Sequence, residues 1–274
     1  MKGADIVLLY VKEEFPAYEL RLAAVDGVSD EWDKALNDRA HKVLNEVKET
    51  LTAKGAEVKI EIVSGPPAYL IETVARDESL PLTVILAGHN DLEHFLLGGV
   101  AEGVVKHCPG TVLVLRPPAH PEAPLQRVLV AVDGSSHSRE AIKTAAQQFA
   151  FAAIKPKVTV VHVVSVAPVV TFVSPVAYVG VLEQNLKMEG QTYLAEAQKI
   201  LADAGVHDVE LVLKEGNPAA EICKVAKEIN AQLLVIGAQG RSAVQHFLMG
   251  SVSTKIATHA PCSTVVVKVD KGNK

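Results

Sequence analysis

Short apolar runs alternate with longer amphipathic ones through the second half of the chain. Residues 127–132, 158–164, 209–214, 233–236 and 264–269 are rich in Val, Leu and Ile with little polar alternation, the pattern of strands buried on both faces. Between them, residues 138–152, 182–204, 218–229 and 252–259 repeat their apolar positions at helical spacing. This order predicts five strands and four helices in strict alternation, an α/β fold with a parallel, Rossmann-like sheet covered on both faces. Residues 158–182 contain no Lys, Arg, Asp or Glu and are long enough to span a bilayer. Pro168, Pro175 and Gly180 interrupt them and no basic cluster flanks them, so a buried strand running into an apolar loop, 168–182, is expected instead of a membrane span. A neighbouring domain or subunit would cover that loop.

Comparison of the chain with itself shows two copies of one unit. Residues 93–100, EHFLLGGV, match 245–252, QHFLMGSV; Gly65-Pro66-Pro67-Ala68 matches Gly216-Asn217-Pro218-Ala219; residues 111–115 match 264–268. Between the copies lies the proline-rich stretch 117–124, which suits a semi-rigid linker. The expected division is a first domain at 1–118, a linker at 119–126 and a complete second domain at 127–274. Residues 6–11 match 158–163, the second strand of the unit, so the first domain lacks its first strand and helix. Residues 22–27, LAAVDG, resemble 129–134, LVAVDG, but precede a helix expected at 31–54 and read as a loop. The missing strand leaves three alternatives: a closed gap, a borrowed strand, or a shortened start.

Charge and cysteine content narrow the function classes. The 274 residues carry 27 basic and 32 acidic side chains, a net charge of −5, with the two signs interspersed. No basic tail or stripe points to nucleic acid as the main partner. Cys108, Cys223 and Cys262 are far apart without any C-x-x-C pairing, which fits a reducing compartment. The apolar run before Lys12-Glu13-Glu14 is too short for a signal peptide, and the cytoplasm is the expected location.

Residues 237–253 read GAQGRSAVQHFLMGSVS and follow a buried strand. A strand ending on Gly237, a turn through Gly240 and a helix start at Gly250-Ser251 would gather backbone N–H groups and hydroxyls around one point, a cradle for polyphosphate. The spacing is neither G-x-G-x-x-G nor the P-loop. Arg241 adds positive charge, and Ser251 and Ser253 add hydroxyls near a helix N-terminus; a plain tight turn is the alternative for the glycines. Asp133, closing the strand in V-A-V-D-G-S, suits ribose hydroxyls or an adenine amine, with an Asx turn or helix cap as the other reading. Ser135 or Ser136 fits a helix cap. The segment resembles the G-x2-G-x9-G-[ST] signature of ATP-binding universal stress proteins, and the resemblance covers essentially all of residues 127–269. It implies ATP, with or without Mg²⁺, surrounded by Asp133, Val163, Gly237, Gly240, Gly250, Ser251, Val252 and Ser253. It also implies strand order 3-2-1-4-5, pairing of the two last strands into an internal pseudo-dimer, and a homodimer of chains. Gln239 stands where the family often has a basic residue.

The first copy departs from this site. Gly88-His89-Asn90-Asp91 brings a carboxylate where Gly240 lies, the loop to Gly98 is three residues shorter, and Gly99 replaces Ser251. A carboxylate there repels phosphate, so the first domain is expected to be a structural or regulatory partner. His89, His94, His107 and Cys108 are candidate metal ligands, but His94 and His107 recur as His246 and His259 and no compact ligand spacing is present; no metal site is expected. No G-x-S-x-G or H-E-x-x-H occurs. A nucleotide-dependent stress or signalling module with an unidentified protein partner is therefore favoured over an enzyme. A nucleotide-free scaffold and a slow ATPase or self-phosphorylating protein are the alternatives.

Overall fold

The structure is a computed structural model that describes residues 4–12, 28–88, 97–116, 124–165, 176–241 and 249–269. Its two compact units are residues 1–74 and 75–274. In the first, β1 (Asp5–Lys12) pairs in parallel with β2 (Glu57–Ser64) over their full lengths, with α1 (Val28–Ala53) between them in the chain. The helix α2 (Pro67–Asp77) follows. Among the described residues of this unit, the apolar side chains of Ala40, Leu44 and Ala56 are buried.

The second unit is built on one seven-stranded sheet. It contains β3 (Leu82–Leu86), α3 (Gly99–His107) and β4 (Thr111–Leu115). After them come β5 (Arg127–Ala131), α4 (Ser136–Gln148), α5 (Phe151–Ile154), β6 (Lys157–Val164) and α6 (Val176–Asp203). The chain continues through β7 (Val209–Glu215), α7 (Pro218–Glu228), β8 (Leu233–Gly237), α8 (Ser251–His259) and β9 (Ser263–Val267). The strand order is β3-β4-β9-β8-β5-β6-β7. Numbered within the second repeat, the last five strands run 3-2-1-4-5, the order that the resemblance implied. Every neighbouring pair is parallel except β4 and β9. Those two last strands face each other at Val112–Val266, Leu113–Val265 and Val114–Thr264, so the two repeats share a sheet through the expected pairing.

Branched aliphatic side chains fill this sheet because they pack well on a pleated surface buried on both sides. Val128, Leu129, Val130, Val158 and Val160 are fully buried. Ala141, Ile142 and Ala145 of α4 and Leu194, Ala197 and Leu201 of α6 join Val128, Val130, Val158 and Val160 in one cluster; their spacing of three and four is the stripe of a helix laid on a sheet. The helix expected over 138–152 is interrupted. Ala150 adopts a left-handed conformation with φ 50°, and the chain restarts at Phe151, whose ring is fully buried; core burial of that ring holds the strained turn. The helix expected from 182 begins at Val176, so part of the 168–182 loop is helical. Proline is well tolerated at a helix start, and Pro175 precedes the helix rather than blocking it. The rest of that loop, 168–175, lies outside the described residues, as do residues 119–123 of the linker. No described helix is long and apolar enough to cross a membrane.

In the second repeat β5 lies between β6 and β8. In the first, β1 pairs with β2 and β3 with β4, in separate sheets, and no strand among the described residues takes the place of β5.

Arg116, directly after β4, is 7% exposed. Its Nη2 donates to the carbonyls of Ala257 (3.1 Å) and Thr258 (2.8 Å) in the last turn of α8, a favourable place for a cation. Nε and Nη1 have no partner among the described residues, and burial lowers the guanidinium pKa. A buried charge only half satisfied contributes little net stability. Arg116→Met is accordingly expected to stay within about 1 kcal/mol of the parent, or above it, in urea unfolding. A loss beyond about 3 kcal/mol would show that the two carbonyl bonds outweigh the desolvation.

Candidate functional site

The chain steps from β5 outward to β6 and β7, then returns to β8 on the other side of β5, and a crevice opens at the carboxyl ends of strands where such a sheet reverses. A cavity of about 700 Å³ lies there. Its lining brings together Asp133, Val163, Gly237, Gly240, Arg241, Gly250, Ser251, Val252 and Ser253, the complete set of site residues expected from the sequence.

Asp133 ends the β5 segment and ties two loops together. Its Oδ1 accepts from the N–H and hydroxyl of Ser135 at 3.1 and 2.6 Å, an Asx turn, while Oδ2 accepts from the Arg241 N–H at 3.0 Å. Ser135 is the N-cap of α4: its hydroxyl accepts from the Ser138 N–H at 3.1 Å. Gly240 stands close to this carboxylate, and a Cβ there would come within 2.6 Å of Asp133 Oδ2.

The N-terminus of α8 differs from those of its neighbours. α4 and α7 are capped by the side chains of Ser135 and Asn217, whereas the N-cap of α8 is Gly250, without a side-chain cap. Thr254 N–H bonds back to Gly250 O, but no described group accepts from the N–H groups of Ser251, Val252 and Ser253. The Ser253 hydroxyl donates to Gly237 O at 2.8 Å, so its proton is committed to joining α8 to β8. Uncapped N–H groups beside a cavity, at the positive end of a helix, suit an anion.

Three side chains at the cavity mouth were missed by motif reading. Arg241 Nη2 lies 3.0 Å from Glu189 Oε1, and its Cζ sits 5.4 Å from the Tyr193 ring centroid. The Tyr193 hydroxyl donates to the same Glu189 oxygen. His162 meets Tyr193 edge-on at 5.3 Å, and its Nδ1–H donates to Val132 O at 2.8 Å. The Glu189–Tyr193 spacing of four on one helix was the available signal. The hydrogen bond from Tyr193, with help from Arg241, holds the Glu189 carboxyl below its ordinary pKa.

Burial, aided by the hydrogen bond to Glu189, pushes the Tyr193 phenol up to about 12. An acid whose folded pKa is raised stabilises the fold below its unfolded pKa, and that contribution fades as pH rises through the folded value. Stability from this group is therefore full below about pH 10 and lost between about 10 and 12. Tyrosinate absorbance titration should show one late phase that disappears in Tyr193→Phe.

The first repeat has the same helix start. α3 has Gly98 as an uncapped N-cap, and the Gly98 N–H bonds to Ala87 O at 2.8 Å as Gly250 N–H does to Ala238 O. Residues 89–96, with His89, Asp91 and His94, lie outside the described residues. Cys108 is buried, its Sγ 3.2 Å from Thr83 Oγ1, and His107 is exposed; the described residues contain no group of three metal-ligating side chains.

The family model of the universal stress protein family matches residues 1–116 and again 124–268. A candidate universal stress protein of Staphylococcus aureus (strain USA300) is 34% identical over 151 residues, 53% of this chain and 86% of that protein. A crystal structure of a universal stress protein from Archaeoglobus fulgidus aligns with 98% of this chain and 88% of its own, at TM-score 0.65 and 21% identity, which supports the fold. A universal stress protein solved in complex with cAMP is 28% identical, covering 53% of this chain and 98% of its own at TM-score 0.41. Two successive family matches account for nearly the whole sequence, and the chain belongs to the universal stress protein family.

Proposed function

We propose that the second repeat binds ATP in the cavity between β5, β8 and α8, and that this binding makes the protein a nucleotide-dependent stress or signalling module. The observation that carries the reading is the glycine-started, side-chain-uncapped N-terminus of α8 in the same cavity as Asp133, Gly240 and Arg241. Phosphates would accept from the N–H groups of residues 251–253, with Arg241 supplying countercharge. The apolar wall that includes Val163 and Ile222 suits the base, and the one acceptor position that Asp133 keeps beyond its three bonds to Ser135 and Arg241 would serve the ribose or the adenine amine.

The described residues do not make a resident Mg²⁺ site. Both Asp133 oxygens already accept hydrogen bonds from Ser135 and Arg241, and Glu189 is held by Tyr193 and Arg241; any Mg²⁺ would arrive with the triphosphate. The same engagement of both carboxylates favours binding over hydrolysis, which needs an oriented water. The first repeat, without a counterpart of Ser251, serves as structural or regulatory partner.

Ligand linkage supplies the test. At 100 times its Kd, ATP should stabilise the folded protein by about 2.7 kcal/mol, read as a rise in melting temperature that saturates with ATP. Absence of any shift at millimolar ATP would leave a nucleotide-free scaffold as the better reading.

A further inference from the structure

The cation that a phosphate would need is already engaged. Among the described residues lining the cavity, Arg241 is the single arginine or lysine. Its main chain is anchored by the N–H bond to Asp133 Oδ2 at 3.0 Å. Its guanidinium is held by Glu189 Oε1 at 3.0 Å and lies against the Tyr193 ring. Tyr193 also donates its hydroxyl to Glu189, so one side chain contacts both members of the ion pair. The ring itself is wedged: it lies over Gly134, where a Cβ would fall 2.3 Å from it, at a backbone φ of +76°.

Resting on the nucleotide reading above, we propose that Glu189 sets the cavity's discrimination between phosphorylated and unphosphorylated nucleosides. It occupies Arg241 in the empty site, and a ligand's phosphates must take the guanidinium from it. A partly exposed ion pair is weak, and a triphosphate offers a guanidinium more charge and more bidentate geometry than one carboxylate does. The exchange therefore proceeds, but its cost falls on phosphate-bearing ligands alone. Adenosine has no use for Arg241 and does not disturb the pair. Glu189 is thus a specificity-determining residue, and Tyr193 is a positioning residue that keeps its carboxylate beside Arg241.

Isothermal titration of the full chain with ATP and with adenosine tests this, using the parent, Glu189→Gln, Arg241→Gln and the double variant, each first shown to melt cooperatively. Glu189→Gln should tighten ATP by about two- to fivefold while adenosine changes less than that. The gain should vanish in the Arg241→Gln background, the coupling that a double-mutant cycle isolates. An equal gain without Arg241 would show simple charge repulsion by Glu189 and overturn the proposal, as would an unchanged ratio of ATP to adenosine affinity in Glu189→Gln. If Glu189→Gln fails to fold, Glu189→Ala carries the same comparison. A parent that binds neither ligand would sink the nucleotide reading together with this one; binding of both with an unmoved ratio sinks this one alone.

Discussion

Alanine at Gly237 is expected to destabilise the second repeat by about 2–3 kcal/mol, seen as a lower urea midpoint at unchanged slope. The added Cβ would lie 2.9 Å from the carbonyl carbon of His137, 3.0 Å from its oxygen and 3.1 Å from the Ser138 nitrogen. All three are backbone atoms of the first turn of α4, so no side-chain rotation relieves the overlap. Retreat of the helix would loosen the Ser135 cap and pull Ile142 and Ala145 from the core that they share with Val128 and Val130. The first repeat supplies a natural contrast. β3 ends on Leu86 where β8 ends on Gly237, and Leu86 is 50% exposed; no described helix of the first repeat corresponds to α4. A parent-like midpoint for Gly237→Ala would show that the start of α4 yields easily.

Aspartate at Gly240 should weaken ATP at least about 100-fold, roughly 2.7 kcal/mol. Its Cβ alone would lie 2.6 Å from Asp133 Oδ2, and its carboxylate would add a second negative charge beside Asp133 and in the path of the phosphates. The displaced Asp133 would also lose its hold on the Arg241 N–H, which carries the cavity's cation. The cost to folding should be smaller than the cost to binding, because Gly240 is only partly buried and its neighbouring carboxylate can rotate. Titration calorimetry beside urea unfolding separates the two effects. Binding of ATP by a folded Gly240→Asp within a few-fold of the parent would place the phosphates elsewhere.

The strand and helix order of the second repeat was legible because its signals are local and strong. Runs such as 158–164 are buried on both faces and show no polar alternation, and glycine, proline and capping residues mark the turns. The order of strands within the sheet was not local information and came from resemblance, later seen in β7-β6-β5-β8-β9. Boundaries slipped where tertiary packing overrode local preference, as at Ala150, whose left-handed turn is held by burial of Phe151.

The site divides along the same line. Glycines and hydroxyls at fixed spacing announced the cradle, and Asp133 was identified together with its alternative role, the Asx turn that it does form. Why Gly237 must be glycine was not legible, since the atoms that exclude a side chain belong to residues 137 and 138, a hundred positions away in the chain. Glu189 and Tyr193 carry no motif; they reach Arg241 only because α6 packs beside β6, where a Cβ on Gly190 would lie 2.6 Å from His162 Cδ2.

The most direct test of nucleotide binding is calorimetric titration of Mg-ATP into the parent and into Gly250→Ala. A Cβ at Gly250 meets Ala238 O at 3.5 Å and nothing closer among the described residues, with φ at −76°, so the empty variant should fold as the parent does. In the ligand-bound state the same methyl would stand at the start of α8, where backbone approaches phosphate. One site per chain in the parent, weakened at least tenfold in an equally stable Gly250→Ala, is the expected result. Equal ATP binding by the two proteins, or none by the parent, would contradict a phosphate cradle at α8.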